Sequence, residues 1–370
     1  LTNIVYYISL NHMQKKILQK YFRGKKVLIT GHTGFKGSWM SLWMLHYKAN
    51  VLGISDGVST SPSHYKLLGL DKKLKSKIVD LSNLKKLKKI FLRFKPDYVF
   101  HLAAQSIVKV SYEKPVKTWQ TNLIGTVNLL ECLRHVKKKT VAVLITSDKA
   151  YKNQEIKRGY KENDILKGED PYGASKSSAD IAINSYYQSF FSQKSSKVLI
   201  CTARAGNVIG GGDWSPNRII TDCIKSWSKN EKVNIRNPES TRPWQHVLDV
   251  IRGYMMLAVK LKKKPRLSGE AFNFGPDKSN LRVIDVLNKI KHFWPKIKWK
   301  VQKQKYFKEN KLLHLNSNKS KKLLKWSTVL NFNNSIKFTV EWYKYYLKNK
   351  KNINHFSLKQ IDNYQKFEKK

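Results

Sequence analysis

Residues 24–39 read GKKVLITGHTGFKGSW, an apolar strand followed by three glycines at a three-residue spacing, Gly31, Gly34 and Gly37, and then by a helical pattern. In such a unit, the free N–H groups and the positive dipole end of the helix face a bound pyrophosphate. The glycines permit the tight turn and let the backbone approach the phosphates. An ordinary glycine-rich βα turn is the alternative, but both the strand and the helix that the motif requires are present. The stretch therefore predicts a dinucleotide site.

Strand-like and helical segments alternate along the first half of the chain. The predicted strands are residues 27–30, 51–54, 78–80, 98–102, 141–146 and 198–203. Such alternation predicts an α/β protein of Rossmann type with a doubly wound parallel sheet. We assign residues 24–204 to the NAD-binding Rossmann domain and residues 205–370 mainly to a smaller C-terminal substrate-binding lobe, some of whose segments return to the first domain. Residues 1–23 are predicted to be a loosely ordered leader.

The chain is strongly basic, with 72 Lys and Arg against 25 Asp and Glu and a net charge of +47. Such a charge is typical of proteins that bind nucleic acid or acidic membranes. Here the excess is mostly lysine scattered over the whole chain, without an Arg-rich arm, zinc-ligand spacing or an aromatic RNA-binding signature. We interpret it as a lysine-rich surface that attracts anionic substrates, and we predict no specific nucleic-acid partner.

Cysteine and hydropathy patterns indicate the compartment. Cys132, Cys201 and Cys223 form no CxxC pair, which is typical of small apolar residues in a reducing environment. No apolar run reaches the roughly 18 residues of a membrane helix, and residues 3–10 are too short for a signal peptide. We therefore predict a cytoplasmic protein with no membrane partner. The histidines lack metal-ligand pairing, so no metal is predicted.

Acidic residues follow two of the predicted strands. Asp56 lies about 20 residues beyond the last glycine, where a carboxylate accepts hydrogen bonds from ribose hydroxyls and repels a 2′-phosphate. This position favours NAD over NADP, although Asp56 also fits a simple Ser-Asp-Gly turn. Asp80 closes the third predicted strand, where it either reaches the adenine or caps a helix that begins at residues 81–82.

Two later segments carry the residue types of an acid–base site. Residues 146–151, TSDKAY, follow the fifth strand at the carboxyl edge where open α/β sheets bind ligands. Residues 172–176, YGASK, place Tyr172 and Lys176 on one helical face, so the ammonium group can favour the phenolate. A tyrosine with a pKa of ~10 needs that help to act as a base near neutral pH. The alternative for Ser147 and Asp148 is a helix N-cap or turn.

These landmarks together resemble the extended short-chain dehydrogenase/reductase family, whose nicotinamide enzymes act on nucleotide sugars. The resemblance runs from residue 26 almost to the C-terminus. Within the family, several segments are most similar to the branch that dehydrates CDP-glucose: GHTGFKGSW at 31–39, HLAAQSIVKVSY at 101–112, TSDKAY at 146–151, DPYGASK at 170–176, RAGNVIGGGDW at 204–214, RPWQHVLD at 242–249 and QIDNY at 360–364. The resemblance implies a lyase that uses and regenerates NAD within one cycle and yields CDP-4-keto-6-deoxyglucose for surface polysaccharide. It also implies a homodimer or homotetramer that pairs through helices at 119–135 and 172–192.

The resemblance implies a role for each catalytic residue. Tyr172 takes the proton of the sugar 4-hydroxyl, Ser147 hydrogen-bonds that oxygen, and Lys176 holds the ribose and the phenolate. A neutral Asp148 protonates the water that leaves carbon 6. Lys149 stands where the dTDP-glucose dehydratases carry a glutamate, so it is either the base for carbon 5 or a cation that stabilises the enolate.

The resemblance also implies the ligand-binding residues. The cofactor residues are Gly31, Thr33, Gly34, Phe35, Gly37, Asp56, Asp80, Leu81, Ala103, Ala104, Gln105, Asn122, Tyr172 and Lys176. The substrate residues are Asn207, Arg218, Arg242 and His246, with Trp214 and Trp244 shaping the pockets. The alternatives are packing or surface salt bridges and, for Asn122, a polar residue at a helix start.

Two other functions compete with dehydration. A nucleotide-sugar 4-epimerase of the same fold needs no acid at position 148, so the Ser-Asp-Lys segment argues against it. A dehydratase acting on a dTDP-, UDP- or GDP-sugar stays open, because the resemblance alone indicates CDP. A non-catalytic nucleic-acid-binding protein that uses only its charge needs none of Ser147, Asp148, Tyr172 and Lys176. The sequence therefore favours a dehydratase.

Overall fold

The computed structural model describes residues 17–235, 237–276, 281–295, 297–301 and 312–367. In chain order the strands are β1 (Lys26–Thr30), β2 (Asn50–Ser55), β3 (Lys75–Ile78), β4 (Tyr98–His101), β5 (Thr140–Ile145), β6 (Val198–Ala205), β7 (Val208–Ile209), β8 (Val233–Ile235), β9 (Thr241–Arg242), β10 (Gln245–His246), β11 (Ala271–Phe274), β12 (Leu281–Arg282) and β13 (Trp299–Val301).

The α-helices are α1 (Phe35–His46), α2 (His64–Leu67), α3 (Leu70–Lys73), α4 (Leu84–Phe94), α5 (Val108–Glu113), α6 (Pro115–Trp119), α7 (Gly125–Arg134), α8 (Pro171–Tyr186), α9 (Ile219–Ser228), α10 (Val247–Lys263), α11 (Val283–Phe293), α12 (Asn318–Leu324), α13 (Phe332–Lys348) and α14 (Ile353–Phe367). A π-helical turn, Gln120–Ile124, joins α6 to α7, and a second, Tyr187–Phe191, extends α8. Short 3-10 turns cover Asp148–Ala150, Pro265–Leu267 and Lys350–Asn352.

The central sheet of the described chain has seven parallel strands in the order β3-β2-β1-β4-β5-β6-β11. The six residues of β5 are all buried, as expected for a strand covered by helices on both faces. The strand order reverses between β1 and β4, and in doubly wound folds this switch point opens a crevice at the carboxyl ends of the strands. The structure confirms the predicted α/β class.

The third strand differs from its prediction. It covers Lys75–Ile78 rather than 78–80, and the following helix begins at Leu84, where the Asn83 side chain accepts a hydrogen bond from the Lys86 N–H. The strand lies at the edge of the sheet and most of its residues are exposed. It therefore lacks the apolar pattern by which a buried strand is located in a sequence.

The second half of the chain contributes to the central sheet and to the helices that pack on it. Strand β11 pairs in parallel with β6, so it extends the central sheet. Helix α10 is buried along most of its length and packs on β5 and β6, while α14 packs against α1. Elements beyond residue 204 therefore complete the central sheet and the helices that pack on it.

The start of the described chain is ordered. Residues 17–22 are helical, and the ring of the fully buried Phe22 lies 4.8 Å from that of Tyr98 and 6.1 Å from that of Phe100. The sequence predicted a loosely ordered leader over 1–23, and the structure corrects this for residues 17–22 because Leu18 and Phe22 are part of the core. Residues 1–16 of that predicted leader lie outside the described residues.

A buried ion pair fixes α8 to the sheet. The Arg204 guanidinium on β6 donates two hydrogen bonds of 2.8 Å to the carboxylate of Asp180 on α8, and the two side chains are 4% and 5% exposed. The Thr146 hydroxyl donates to the same carboxylate over 2.9 Å, and Arg204 also donates to the Tyr151 hydroxyl over 2.7 Å. The pair therefore holds both ends of residues 146–151 as well as α8.

We expect Arg204→Met to lower the free energy of unfolding by about 3–5 kcal/mol, because it leaves the Asp180 carboxylate buried without its cation. Urea denaturation followed by circular dichroism measures the change. The control is Arg158→Met, which breaks a partly exposed pair with Asp164 and is expected to change stability far less. Equal losses in the two variants would contradict a stabilising role for the buried pair.

Candidate active site

A cleft of about 1060 Å³ opens at the carboxyl edge of the central sheet. One wall is formed by the glycine loop, the end of β2 and the segment after β4. The other wall is formed by residues 205–222 together with Arg242 and Trp244. A cleft of this size at a topological switch point is typical of a nucleotide site.

The glycine loop closes the end of the cleft next to β1. Gly31 has a φ of +70°, and a Cβ on it would lie 2.7 Å from the backbone of Ala103. Gly37 has no room for a Cβ against the Gly31 carbonyl. A Cβ on Gly34, by contrast, would meet no protein atom closer than 3.4 Å, so packing does not require this glycine. It leaves space beside the uncapped N-terminus of α1, where a pyrophosphate fits.

Hydrogen bonds tie the glycine loop to the end of β2. The Thr33 hydroxyl donates to the Gly57 carbonyl over 2.6 Å and is paired with the Ser55 hydroxyl at 2.7 Å. Asp56 lies between these anchors, exposed at the cleft. This is the position from which a carboxylate reaches ribose hydroxyls in dinucleotide sites.

Asp80 also lies at the cleft but has local partners. Its carboxylate accepts from the Ser82 N–H over 2.9 Å and forms an ion pair with Lys117. These bonds stabilise the turn before α4. Asp80 does not cap that helix, as the sequence offered, because the helix begins at Leu84 and Asn83 caps it. Hydrogen bonding to the charged form lowers the pKa of Asp80 despite its partial burial.

Asn122 supports the cleft from behind. It accepts from the Gln105 N–H over 2.8 Å, and it donates to the Gln105 carbonyl over 3.0 Å and to the Ser175 hydroxyl over 2.9 Å. Asn122 is fully buried, so it positions the loop after β4 rather than lining the cleft. The other predicted cofactor residues that line the cleft include Phe35, Leu81, Ala103, Ala104 and Gln105.

Ser147 and Asp148 form the acidic centre of the site. The Ser147 hydroxyl and the Lys149 N–H each donate to Oδ1 of Asp148 over 2.9 Å. Oδ2 is buried and has no hydrogen-bond partner among the described residues. Burial raises the pKa of Asp148, while the Ser147 hydrogen bond and the charges of Lys149 and Lys36 oppose the shift. Burial thus disfavours the charged form of Asp148 relative to an exposed aspartate, and its free oxygen is the one able to carry an acidic proton.

Tyr172, in the first turn of α8, lines the cleft, whereas Lys176, one turn further along the helix, is buried and does not line it. Burial raises the pKa of Tyr172 to about 12, although a hydrogen bond with Ser147 and the charge of Arg218 oppose the rise. Lys176 donates to the Ile145 carbonyl over 3.2 Å, and burial lowers its pKa to about 7. Burial disfavours the charged form of both side chains. Its effect on the pKa of Tyr172 outweighs the stabilisation of the phenolate that we expected from Lys176.

Lys149 lies at the rim beside these groups. Its ammonium nitrogen is 3.9 Å from Oδ2 of Asp170, whose other oxygen accepts from the Gly173 N–H at the start of α8. The side chain is about one-third exposed and lines the cleft. It is therefore placed to act on a ligand near Tyr172.

Arg218 links the two walls of the cleft. It forms an ion pair of 3.2 Å with Asp213 and donates over 3.2 Å to the Ser106 hydroxyl on the opposite wall. The other predicted substrate residues that line the same cleft are Asn207, Arg242, Trp214 and Trp244.

His246 is not brought to the cleft. It is fully buried, its Nδ1 accepts from the Leu248 N–H at the start of α10, and its ring packs 5.7 Å from that of Phe338. The structure gives His246 a helix-capping role in the core instead of the predicted substrate contact. Nothing in its sequence context distinguishes these two roles.

Sequence reasoning assigned no role to three residues of the cleft. Ser106 and Asp213 hold Arg218, and no local pattern marks them because the contact forms between distant segments. Lys36 lies between Gly34 and Gly37 in the first turn of α1 and lines the cleft. A lysine at a helix N-terminus opposes the macrodipole, and this was the available signal.

Comparisons with known proteins agree with this geometry. The family model for GDP-mannose 4,6 dehydratase matches residues 28–339. CDP-glucose 4,6-dehydratase of Salmonella typhimurium is 38% identical over 335 residues, which cover 89% of this chain and 93% of that protein. dTDP-D-glucose 4,6-dehydratase of Homo sapiens is 26% identical, covering 89% of this chain and 93% of the human protein.

Solved structures show the same fold. An epimerase of Methanothermobacter thermautotrophicus matches with a TM-score of 0.79 at 22% identity, covering 93% of this chain and 98% of that one. dTDP-glucose 4,6-dehydratase of Bacillus anthracis in complex with NAD matches with a TM-score of 0.70 at 21% identity, covering 88% and 97%.

The fold and the cleft define an α/β enzyme with a dinucleotide-type loop at the switch point of its sheet. More particularly, the chain belongs to the GDP-mannose 4,6-dehydratase family. The family resemblance predicted from the sequence is confirmed.

Proposed function

We propose that this protein is an NAD-dependent lyase that converts CDP-glucose into CDP-4-keto-6-deoxyglucose. The observation that carries the proposal is the buried carboxyl of Asp148, hydrogen-bonded to Ser147 and with one oxygen free, in a cleft that Tyr172 also lines. Elimination of a sugar hydroxyl needs such a proton donor, whereas inversion at carbon 4 does not. The 38% identity to the Salmonella enzyme supports CDP-glucose as the substrate.

The described residues fit NAD as the cofactor. The open space at Gly34 beside the N-terminus of α1 suits the pyrophosphate, and the exposed Asp56 carboxylate suits ribose hydroxyls while repelling a 2′-phosphate. When bound, NAD supplies the acceptor for the hydride of carbon 4 and the donor that returns it to carbon 6.

Oxidation at carbon 4 needs a base for the sugar hydroxyl. Tyr172 takes this proton, and Ser147, its hydrogen-bond partner, holds the same oxygen. Since burial keeps the phenol protonated at neutral pH, the step depends on positive charge around the ring. Arg218 contributes such charge, and Lys176 on the next turn of α8 places a further amine below the site.

Elimination follows because a ketone at carbon 4 acidifies the hydrogen at carbon 5. The free oxygen of Asp148 delivers its proton to the hydroxyl that leaves carbon 6, while Ser147 and the Lys149 N–H hold the other oxygen. Lys149 lies beside Asp148 and has one of two roles. As a neutral amine it removes the carbon 5 proton and returns it to carbon 5 when carbon 6 receives the hydride; as an ammonium it stabilises the enolate.

We expect Lys149→Met to slow elimination by about 10²-fold or more while carbon 4 is still oxidised, because both roles require the amine. Mass spectrometry of quenched single turnovers distinguishes loss of two hydrogens from loss of one water. The control is Lys157→Met, a change at an exposed lysine outside the cleft. Unchanged dehydration in the Lys149 variant would exclude both roles.

The function is tested by incubating the purified protein and NAD with CDP-glucose and, in parallel, with dTDP-, UDP- and GDP-glucose. Loss of one water from CDP-glucose alone supports the proposal in full. Loss of water from another nucleotide sugar supports the proposed dehydration and overturns CDP as the nucleotide of the substrate. Inversion at carbon 4 without a change of mass identifies an epimerase instead.

We also propose that the protein is at least a homodimer. The predicted pairing helices, 119–135 and 172–192, correspond to α7 with the π-helical turn before it and to α8 with the π-helical turn after it, and α6 packs with them. Four large apolar side chains on them are exposed: Val116, Ile124, Ile181 and Phe190. Their burial in a four-helix contact between two copies removes this apolar surface from water. Light scattering of the purified protein measures the mass of the assembly.

The remaining proposals concern location and use. None of the helices that the structure describes combines the length and the apolar character needed to cross a bilayer. The three cysteines are buried and free, which supports a reducing, cytoplasmic compartment. A keto-deoxy sugar nucleotide is an intermediate on the way to deoxysugars, so we assign the product to the synthesis of surface polysaccharide such as the O-antigen of lipopolysaccharide.

A further inference from the structure

Lys36 occupies an unusual place for a lysine. It lies in the first turn of α1, inside the glycine loop, and its side chain lines the cleft together with Asp148 and Arg218. Its ammonium group forms no hydrogen bond or ion pair with any side chain in the described parts of the chain. The positive end of the helix dipole disfavours a cation there. The lysine therefore contributes nothing evident to folding, and its charge is directed at the cleft.

The charged neighbours of Lys36 locate it at the reacting end of the cleft. Its charge interacts with Asp148 and Lys176, the proton donor and the amine of the catalytic group. On the other side it interacts with the Arg218–Asp213 pair. Burial and the charge of Arg218 lower the pKa of Lys36 to about 8, with Asp148 and Asp213 opposing, so it is mostly charged at neutral pH.

We propose that Lys36 is an electrostatic residue of the hydride-transfer site, whose ammonium group disfavours the positively charged oxidised nicotinamide and so makes the bound cofactor a stronger hydride acceptor. The inference rests on the proposed use of NAD, and it adds a residue that controls the balance between the two cofactor states. The oxidised ring carries a positive charge that the reduced ring lacks. A fixed cation nearby therefore weakens NAD binding relative to NADH binding.

The test measures dissociation constants for NAD and NADH in the wild type, in Lys36→Met and in Lys36→Arg, by calorimetry and by NADH fluorescence. Methionine keeps the length of the side chain and removes its charge. We expect the preference for NADH over NAD to fall about tenfold or more in Lys36→Met and to persist in Lys36→Arg. If the role of Lys36 were purely structural, Lys36→Met would weaken the binding of NAD and of NADH equally. The ratio of the two dissociation constants would then stay unchanged.

A pH series provides a second readout. The wild-type preference is expected below about pH 8, where Lys36 is charged, and lost as the pH rises above it. The other groups facing Lys36 are Asp148, Asp213, Arg218 and Lys176, and loss of the Lys36 charge also shifts the pKa of Asp148 and of Lys176. Lys36→Arg keeps its charge across this range, so a loss of preference above pH 8 in the wild type alone identifies Lys36 as the titrating group.

The outcomes separate this inference from the proposed function. An NAD-to-NADH ratio that is the same in wild type and Lys36→Met at every pH overturns the role of Lys36 and leaves the dehydratase proposal intact. Failure of the wild type to bind either cofactor overturns the cofactor assignment and the inference with it. If the ratio of dissociation constants differs between wild type and Lys36→Met but the wild type does not turn over CDP-glucose, the inference is supported. Only CDP-glucose as the substrate is then overturned.

Discussion

Replacing Tyr172 by phenylalanine should lower the rate of CDP-glucose turnover by about 10²- to 10⁴-fold, the range typical of a lost general base. The substitution removes the hydroxyl that hydrogen-bonds Ser147 and leaves the buried ring in place. Oxidation at carbon 4 is the first chemical step, so no later product should form. Single-turnover mass spectrometry should find unaltered CDP-glucose, and the affinity for NAD should change little.

The matched control is Tyr186→Phe on the same helix. Its hydroxyl donates to Glu131 over 2.6 Å at the last residue of α8, and Tyr186 does not line the cleft. This variant loses the same atom and should keep nearly full activity. If Tyr172→Phe retained wild-type turnover, the assignment of Tyr172 as the base would be wrong.

Asp148→Asn should slow the second half of the reaction, the loss of water, and leave the first half, oxidation at carbon 4, intact. Oxidation at carbon 4 should continue, since Tyr172 and Ser147 remain, whereas loss of water should slow by about 10²- to 10⁴-fold because an amide is a very weak proton donor. Burial disfavours the charged carboxylate of Asp148, so the neutral asparagine should be accommodated without loss of stability. Quenched reactions should contain a sugar nucleotide that has lost two hydrogens but no water.

The same carboxyl gives the wild type a pH dependence. Its pKa is raised, so the proton needed for elimination is retained to a higher pH than for an ordinary aspartate and is lost as the pH rises through the raised value. The control is Asp164→Asn, which makes the same change in a surface pair with Arg158. Equal rates of water loss in the Asp148 variant and this control would exclude Asp148 as the acid.

Local patterns account for what the sequence predicted well. The glycine spacing lies within a single loop, and the four-residue interval between Tyr172 and Lys176 lies within about one helical turn. Both can therefore be recognised without knowing the rest of the fold. Strands buried on both faces, such as β5, carry continuous apolar runs. The exposed edge strand β3 carries no such run, so its predicted start at residue 78 lies three residues beyond its observed start at Lys75.

Long-range contacts account for what the sequence did not predict. The burial of His246 depends on Phe338, and the bridge from Arg218 to Ser106 spans the cleft. The pKa values of Tyr172 and Lys176 depend on how deeply the whole fold buries them, which spacing along α8 does not reveal.

The return of β11 and α10 to the central sheet limits how these enzymes can be recombined. A chimaera that exchanged everything beyond residue 204 with a relative would replace an edge strand of the sheet and the helix that covers β5 and β6, and so would disturb the core of the cofactor domain. An exchange of nucleotide specificity should instead transplant the cleft wall at 206–244 and leave α10 and β11 with the host. Each strand of that wall pairs with a strand outside it, β7 with β10, β8 with β13 and β9 with β12, so the transplanted segment must also match these partners in the host.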